Sequence, residues 1–422
     1  MSSTSEFATA SGTGWRKDAR VIALISTAHF VSHVHLMLLP PIFGPVREAF
    51  GVSYLEIGAA LTAYNVISAA LQTPAGFLVD RIGPRTMLTG GLLIGATALL
   101  MAALLPGYTL FLVAYALLGL ANTVYHPSDY AILSAAIDGK RIGKAFSIHT
   151  FAGYLGSGVT PALVLGFAAL WGWQGAFLFA AALAIGAALL MILAGSILPR
   201  AAKQPADATP GMKGGKPAGA SEVAVGFDLL LSGPILRNLF FFICLAMANG
   251  GIQIYVVVAL GVLWDTPAAD ANIALSGFLL MSAFGVLLGG IIADRTVHHE
   301  RVAAVGFAFT STMAMLLGWV NMPTFLLIAV MSVGGLLNGM IQPSRDMMVR
   351  AVTPPGSFGK VFGFVSTGFN LGGMIAPLLY GWLMDRGQPR LIFLIVTIFI
   401  LLALFTAITR RKPQGISHGL AD

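Results

Sequence analysis

The sequence predicts an all-α integral membrane protein, with twelve transmembrane helices in two pseudo-symmetric six-helix bundles. Three observations carry that prediction. Of 422 residues, 57% are hydrophobic and only 10% charged, with mean hydropathy +0.85. A water-soluble domain carries roughly 25% charge, so this chain cannot coat a soluble body of its size. Apolar stretches near the roughly 20 residues that a helix needs to cross a bilayer recur twelve times along the sequence. Finally, the chain repeats itself. Gly119 to Asp129 reads Gly-Leu-Ala-Asn-Thr-Val-Tyr-His-Pro-Ser-Asp, and Gly335 to Arg345 reads Gly-Leu-Leu-Asn-Gly-Met-Ile-Gln-Pro-Ser-Arg, 216 positions later. Held without a gap from Gly119 to Pro161, that offset gives twelve identities in 43 positions, among them Asn122/Asn338, Pro127/Pro343, Lys144/Lys360 and Pro161/Pro377. Duplicated membrane halves with polar residues in both copies suggest a two-lobed assembly around a central site.

The predicted spans of the first half are 20–43, 53–79, 85–105, 109–137, 143–169 and 174–198. Those of the second are 236–262, 271–293, 302–320, 324–350, 358–384 and 390–409. Gly51, Pro106-Gly107, Gly172, Pro323, Pro354-Pro355-Gly356 and Pro389 punctuate the connections, where fixed φ or a left-handed backbone ends a helix. Between the halves, residues 199–235 read as a cytoplasmic linker, because 199–228 is rich in Ala, Gly, Pro and Lys and has no apolar period. The division is then a tail at 1–19, bundles at 20–198 and 236–409 around the linker, and a tail at 410–422. Residues 1–14 carry one charge, Glu6, and no cleavage pattern after a short apolar core; they read as a disordered tail, not a signal peptide.

Charge placement sets the expected orientation. With the N-terminus inside, all of the 24 Lys and Arg except Arg47, Arg386 and Arg390 fall on or toward the cytoplasmic side. The positive-inside rule therefore puts both termini in the cytoplasm of a multi-pass protein of the cell membrane, the inner membrane in a bacterium. The same placement assigns the net charge of +7 to loops and lipid headgroups and excludes nucleic acid as a partner. The single cysteine, Cys244, excludes an intrachain disulfide and a Cys-based metal site. No Cys/His/carboxylate spacing supports a resident metal, and no cofactor is expected. Nor is there a nucleophile elbow or a phosphate-binding loop, so the chain is not expected to be an enzyme. The expected unit is a monomer.

Between spans two and three stands Gly76-Phe-Leu-Val-Asp80-Arg81-Ile-Gly83-Pro-Arg85, echoed between spans eight and nine by Gly290 through Asp294-Arg295. By charge alone, Asp80 is suited to meet a helix N-terminus, and Arg81 and Arg85 to anchor at headgroups. This loop resembles the signature cytoplasmic loop of the major facilitator superfamily, and the resemblance extends over all the spans, the linker and both repeats. It implies the major facilitator fold, alternating access to a central cavity, and a gating loop of Gly76, Asp80, Arg81, Gly83, Arg85, Asp294 and Arg295. His29-Phe30 in span one with Tyr125-His126-Pro127 in span four is similar to the fosmidomycin-resistance group of efflux proteins. Here Tyr125 stands for the group's Phe, and Ser128 separates Asp129 from the triplet. The run Gly153-x-x-Gly156-x-Gly158-x-x-Pro161 partly resembles the superfamily's span-five antiporter motif.

Ionisable groups inside a bilayer are costly, roughly 2.5–3.5 kcal/mol each on insertion scales, so they mark routes and sites. His29 and His33 lie one helical turn apart on one face, with His126 and His149 on later spans. A neutral imidazole bonded to a carbonyl is the plain alternative for any one of them. Together their ordinary pKa near 6.5 suits proton exchange. Asp129 and Arg345 occupy equivalent repeat positions, which suggests either a gate pairing them across the halves or an Arg345–Asp346 pair within one half. Tyr154, Gln253, Tyr255, Gln342 and Asn370 complete the candidate substrate or proton pathway. The expected function is secondary active transport of a small organic solute, by proton-coupled efflux. The alternatives are proton-coupled uptake of an organic anion and, remotely, an intramembrane enzyme or non-transporting receptor.

Overall fold

The computed structural model describes residues 4–138, 141–198, 227–296, 298–353 and 358–408. Most of the expected linker and the C-terminal tail lie outside the described residues. Every regular element among the described residues is a helix, with no strand among them. In the first half run α1 (Thr4–Met37), α2 (Phe43–Phe50), α3 (Tyr54–Ile82), α4 (Pro84–Leu104), α5 (Tyr108–Asn122), α6 (Tyr125–Ala136) and α7 (Ile142–Ala194). The second half holds α8 (Phe227–Leu230), α9 (Gly233–Trp264), α10 (Ala268–Arg295), α11 (His299–Trp319), α12 (Thr324–Ala351), α13 (Phe358–Asp385) and α14 (Pro389–Ile408). Ten segments among the described residues are long and apolar enough to cross a membrane. One of them, Ile142–Ile197, holds both of the spans expected there, folded back at Trp171 and at Gly172 with φ +69°.

The helix ends follow their residues. Ser53 and Glu56 form a capping box, the Ser53 hydroxyl accepting from the Glu56 N–H and the Glu56 carboxylate from the Ser53 N–H. Gly51 closes α2 at φ +64°, and Gly83 turns between α3 and α4 at φ +99°, conformations that disfavour any side chain. Two departures from the sequence reading are physical. Helix α1 runs out to Thr4, so the stretch expected as a disordered tail is helical from that residue on. No proline interrupts residues 1–37, and the span's hydrogen-bond ladder propagates outward. The fourth span, expected as one helix, is broken at Thr123–Val124, where the N–H groups of both residues turn to i−3 carbonyls. Pro127 explains the break, since it has no N–H to offer the Thr123 carbonyl and its ring crowds that carbonyl.

The two halves of the chain meet along two seams, α3 against α13 and α7 against α10. Small residues allow the close approach. A Cβ at Gly58 would sit 2.6 Å from the Pro377 carbonyl, and one at Gly381 would sit 2.6 Å from that of Tyr54. Along the first seam the Thr62 hydroxyl donates to the Met374 carbonyl at 2.9 Å and the Asn65 amide to that of Gly373 at 3.0 Å. At its end the Asp385 carboxylate accepts from the Tyr54 and Leu55 N–H groups, at 2.7 and 2.8 Å. The three basic residues that stand apart from the others in sequence share this end, each over a ring: Arg47 on Tyr54, Arg386 on Trp382 and Arg390 on Trp264.

Candidate functional site

One buried acid organises the first half. Asp129 comes from α6, just past the helix break, and is fully buried. Two imidazoles enclose it, His29 from α1 and His149 from α7, 4% and 1% exposed. His29 Nδ1 lies 3.6 Å and His149 Nε2 3.5 Å from Asp129 Oδ2. The two rings stack on each other, centroids 3.9 Å apart and 26° from parallel. None of these three facing atoms has a hydrogen-bond partner, and Asp129 Oδ1 has none either. The donor atoms of His29, Asp129 and His149 all lie within 4.8 Å of one another, so these three could hold a metal ion.

Around this core, His33 sits one turn above His29 with ring centroids 4.6 Å apart, and its Nδ1 makes a 2.9 Å hydrogen bond with the Ser157 hydroxyl. The His126 ring lies 5.3 Å from that of His29, and Tyr130 flanks both His126 and His149. Gly153 makes room for the assembly. A Cβ there would fall 2.5 Å from His29 Nε2 and 2.8 Å from His33 Nε2, so any side chain would push both imidazoles from their places.

From His33 the polar path crosses to the other half. The Tyr154 ring lies 6.1 Å from His33, and its hydroxyl donates to Gln342 Oε1 of α12 at 2.6 Å. One turn on, Arg345 Nε donates to Asp346 Oδ1 at 2.9 Å, while its guanidinium rests over Phe242 and Phe369 at 5.0 and 5.3 Å. The structure thus brings together His29, His33, His126, Asp129, His149, Tyr154, Gln342 and Arg345. The cross-half Asp129–Arg345 pair of the gate reading is not formed. Asp129 is enclosed by imidazoles, and Arg345 takes its sequence neighbour, the within-half alternative.

The remaining candidates lie elsewhere. Gln253 Nε2 donates to Asn249 Oδ1 on its own helix, at 3.5 Å, and Tyr255 is buried with its hydroxyl donated to the Pro377 carbonyl at 2.6 Å. Asn370 is half-buried on α13. In the loop, Gly76 is half-buried near the end of α3, Asp80, Arg81 and Arg295 are exposed, Gly83 supplies the turn, and Arg85 donates to the Ile192 carbonyl at 3.1 Å. The Asp294 side chain lies outside the described residues. Sequence reading missed two contributors: Ser157, whose signal was its place in the glycine run of α7, and Asp385, a lone acid at the end of a span.

Known proteins agree with this architecture. The family model of the Major Facilitator Superfamily matches residues 25–263 and 239–419. The chain is similar to the fosmidomycin resistance protein of Escherichia coli strain K12, 24% identical over 94% of this chain and 95% of that protein. It is similar also to the probable sulfoacetate transporter of Cupriavidus necator, 24% identical over 89% of each chain. In fold it matches the inward-facing, unoccupied structure of a bacterial homologue of the human lysosomal transporter Spinster. That match has TM-score 0.73 at 14% identity, over 93% of this chain and 96% of the other. An all-helical multi-pass chain, with a family match running through both repeats and transporters as its relatives, is a transporter and not an enzyme: it belongs to the major facilitator superfamily.

Proposed function

We propose that this protein is a proton-coupled secondary transporter that exports a small organic solute by alternating access between two six-helix halves, 20–198 and 236–409. The observation that carries the reading is the row of polar side chains from the buried Asp129, past His29 and His33, to the Tyr154–Gln342 bond between the halves. A carboxyl group among imidazoles supplies several groups that can take up and release a proton, and a hydrogen bond across the seam is one that rocking of the halves must break. The likeness to the fosmidomycin resistance protein supports efflux. With both termini cytoplasmic, the closed seam end at Asp385 faces outward. The loop Asp80-Arg81 and Arg295 then lies on the cytoplasmic face, where it acts on the opposite closure.

A specific observation favours a second reading, uptake of an organic anion. The Arg345 guanidinium lies over two rings one turn from Gln342, and a relative is a probable sulfoacetate transporter. One experiment tests both. Purified protein in liposomes is given fosmidomycin or sulfoacetate under an imposed pH gradient. Saturable flux that follows the gradient is expected, and its direction relative to the proton gradient decides between the readings. Asp129→Asn should abolish gradient-driven accumulation while solute exchange without a gradient persists. Flux that neither saturates nor responds to the gradient overturns the proposal.

A further inference from the structure

The core of this cluster has the donor set of a metal site. A carboxylate and an imidazole that share a proton approach to about 2.7–3.2 Å. Here both imidazole nitrogens stand off Asp129 Oδ2 at 3.5 and 3.6 Å, and neither finds another partner although all three groups are buried. Ligand atoms around a tetrahedral cation with bonds of about 2.1 Å are spaced about 3.4 Å apart, and these two separations match such an edge. The ligand atoms of the three residues all lie within 4.8 Å of one another, and the stacked rings must turn apart for both in-plane lone pairs to meet on one ion. The stack also argues against proton occupancy of both rings, because two imidazolium ions 3.9 Å apart would repel strongly. A single divalent ion instead neutralises the carboxylate and satisfies both nitrogens at once.

We infer that His29 Nδ1, His149 Nε2 and the Asp129 carboxylate form a three-ligand site for a divalent transition cation of the zinc class, with a fourth position left to water or solute. Two nitrogens and one oxygen suit a borderline cation such as Zn²⁺ or Co²⁺ better than Mg²⁺ or Ca²⁺, which prefer all-oxygen shells. Three protein ligands with an open fourth position is the pattern of zinc that must be reached by water or a solute rather than of a purely structural ion. Spacing in the sequence does not reveal the site, because its ligands come from three helices and are up to 120 residues apart. The inference rests on the proposed reading in one respect: a cation here shares the cluster with the transported proton, and each excludes the other.

The test uses detergent-purified, tag-free full-length protein in which His298 and His299, an adjacent pair beside Glu300, are changed to glutamine to remove their own affinity for metal. Titrated with Co²⁺, it should bind one ion with the visible spectrum of a four-coordinate nitrogen/oxygen site. Zn²⁺ should displace it, and Mg²⁺ should not. Asp129→Asn and His149→Gln should each weaken binding at least tenfold, while His35→Gln, a buried histidine of α1 outside the trio, leaves it unchanged. Monodisperse elution checks that each variant is folded. If a single variant fails to fold, Zn²⁺ block of gradient-driven flux in the otherwise unaltered protein stands in for it. Absence of saturable Co²⁺ binding, or equal binding after all three ligands are replaced, overturns the site. The two proposals fail separately: proton-driven flux without Co²⁺ binding removes only the metal site, and Co²⁺ binding without proton-driven flux keeps the site and removes the coupling.

Discussion

Asp129 sits where a carboxylate is hardest to keep, buried at the level of the membrane with its oxygens lacking hydrogen bonds. What makes the position tenable is the packing of His29 and His149 around it, and Gly153 makes that packing possible. Gly153→Ala places a methyl against two imidazoles, which must shift to admit it. Overpacking of this kind costs about 1–3 kcal/mol, so a modest fall in Tm is expected. The larger effect should be on transport, since the rings must turn away from Asp129. Flux at wild-type level in a folded Gly153→Ala protein would show that the ring arrangement is dispensable. At this scale the sequence revealed the inventory but not the grouping. The i, i+4 relation of His29 and His33 is visible in any helix. The contact of His29 with Asp129 and His149 depends on how α1, α6 and α7 pack, which no local pattern encodes. Repeat symmetry pointed Asp129 toward Arg345, whereas Arg345 found a nearer counter-charge in the next residue along its own helix.

The most informative element is the break at Thr123–Val124. Its repeat counterpart, Gly339–Met340, lies inside the unbroken α12 although Pro343 matches Pro127. Non-helical backbone at membrane depth is tolerated where it serves a cavity or is buried by protein, and this one immediately precedes the buried Asp129. Pro127→Ala supplies an N–H to the Thr123 carbonyl and allows one straight helix from Tyr108 onward. The Tm should hold or rise, and transport should drop by about tenfold, the equivalent of about 1.4 kcal/mol in the positioning of Asp129. Pro343→Ala, in a helix already continuous, should lose less. Equal losses in the two variants, read in the same flux assay, would remove any special role for the break. Span positions were legible because apolar length alone defines them. The break was not, because both prolines read alike in the sequence and only the tertiary packing around them differs.

Across the whole molecule, closure at one end depends on a division of labour at the start of α3. Four N–H groups there need acceptors that the helix itself cannot provide. The capping box satisfies those of Ser53 and Glu56 from within the first half. Those of Tyr54 and Leu55 rely on Asp385, the last residue of α13 in the other half. Opening this end therefore strips a charged cap from a helix N-terminus, an interaction whose loss costs about 0.5–2 kcal/mol. Asp385→Ala removes that cost of opening from the outset, and a bias of about 1 kcal/mol shifts a two-state balance about fivefold. The only cysteine in the sequence, Cys244, is buried in the core, so a Cys244→Ala background with Thr62→Cys places a single reporter on the seam. A membrane-impermeant maleimide applied from outside should label Thr62→Cys several-fold faster when Asp385 is also replaced. Glu56→Ala, which breaks only the local capping box, should lower stability without that increase, because its partner Ser53 moves with the same half. If the Asp385 variant labels no faster than its parent, the carboxylate is a passive contact and the seam is held by packing alone.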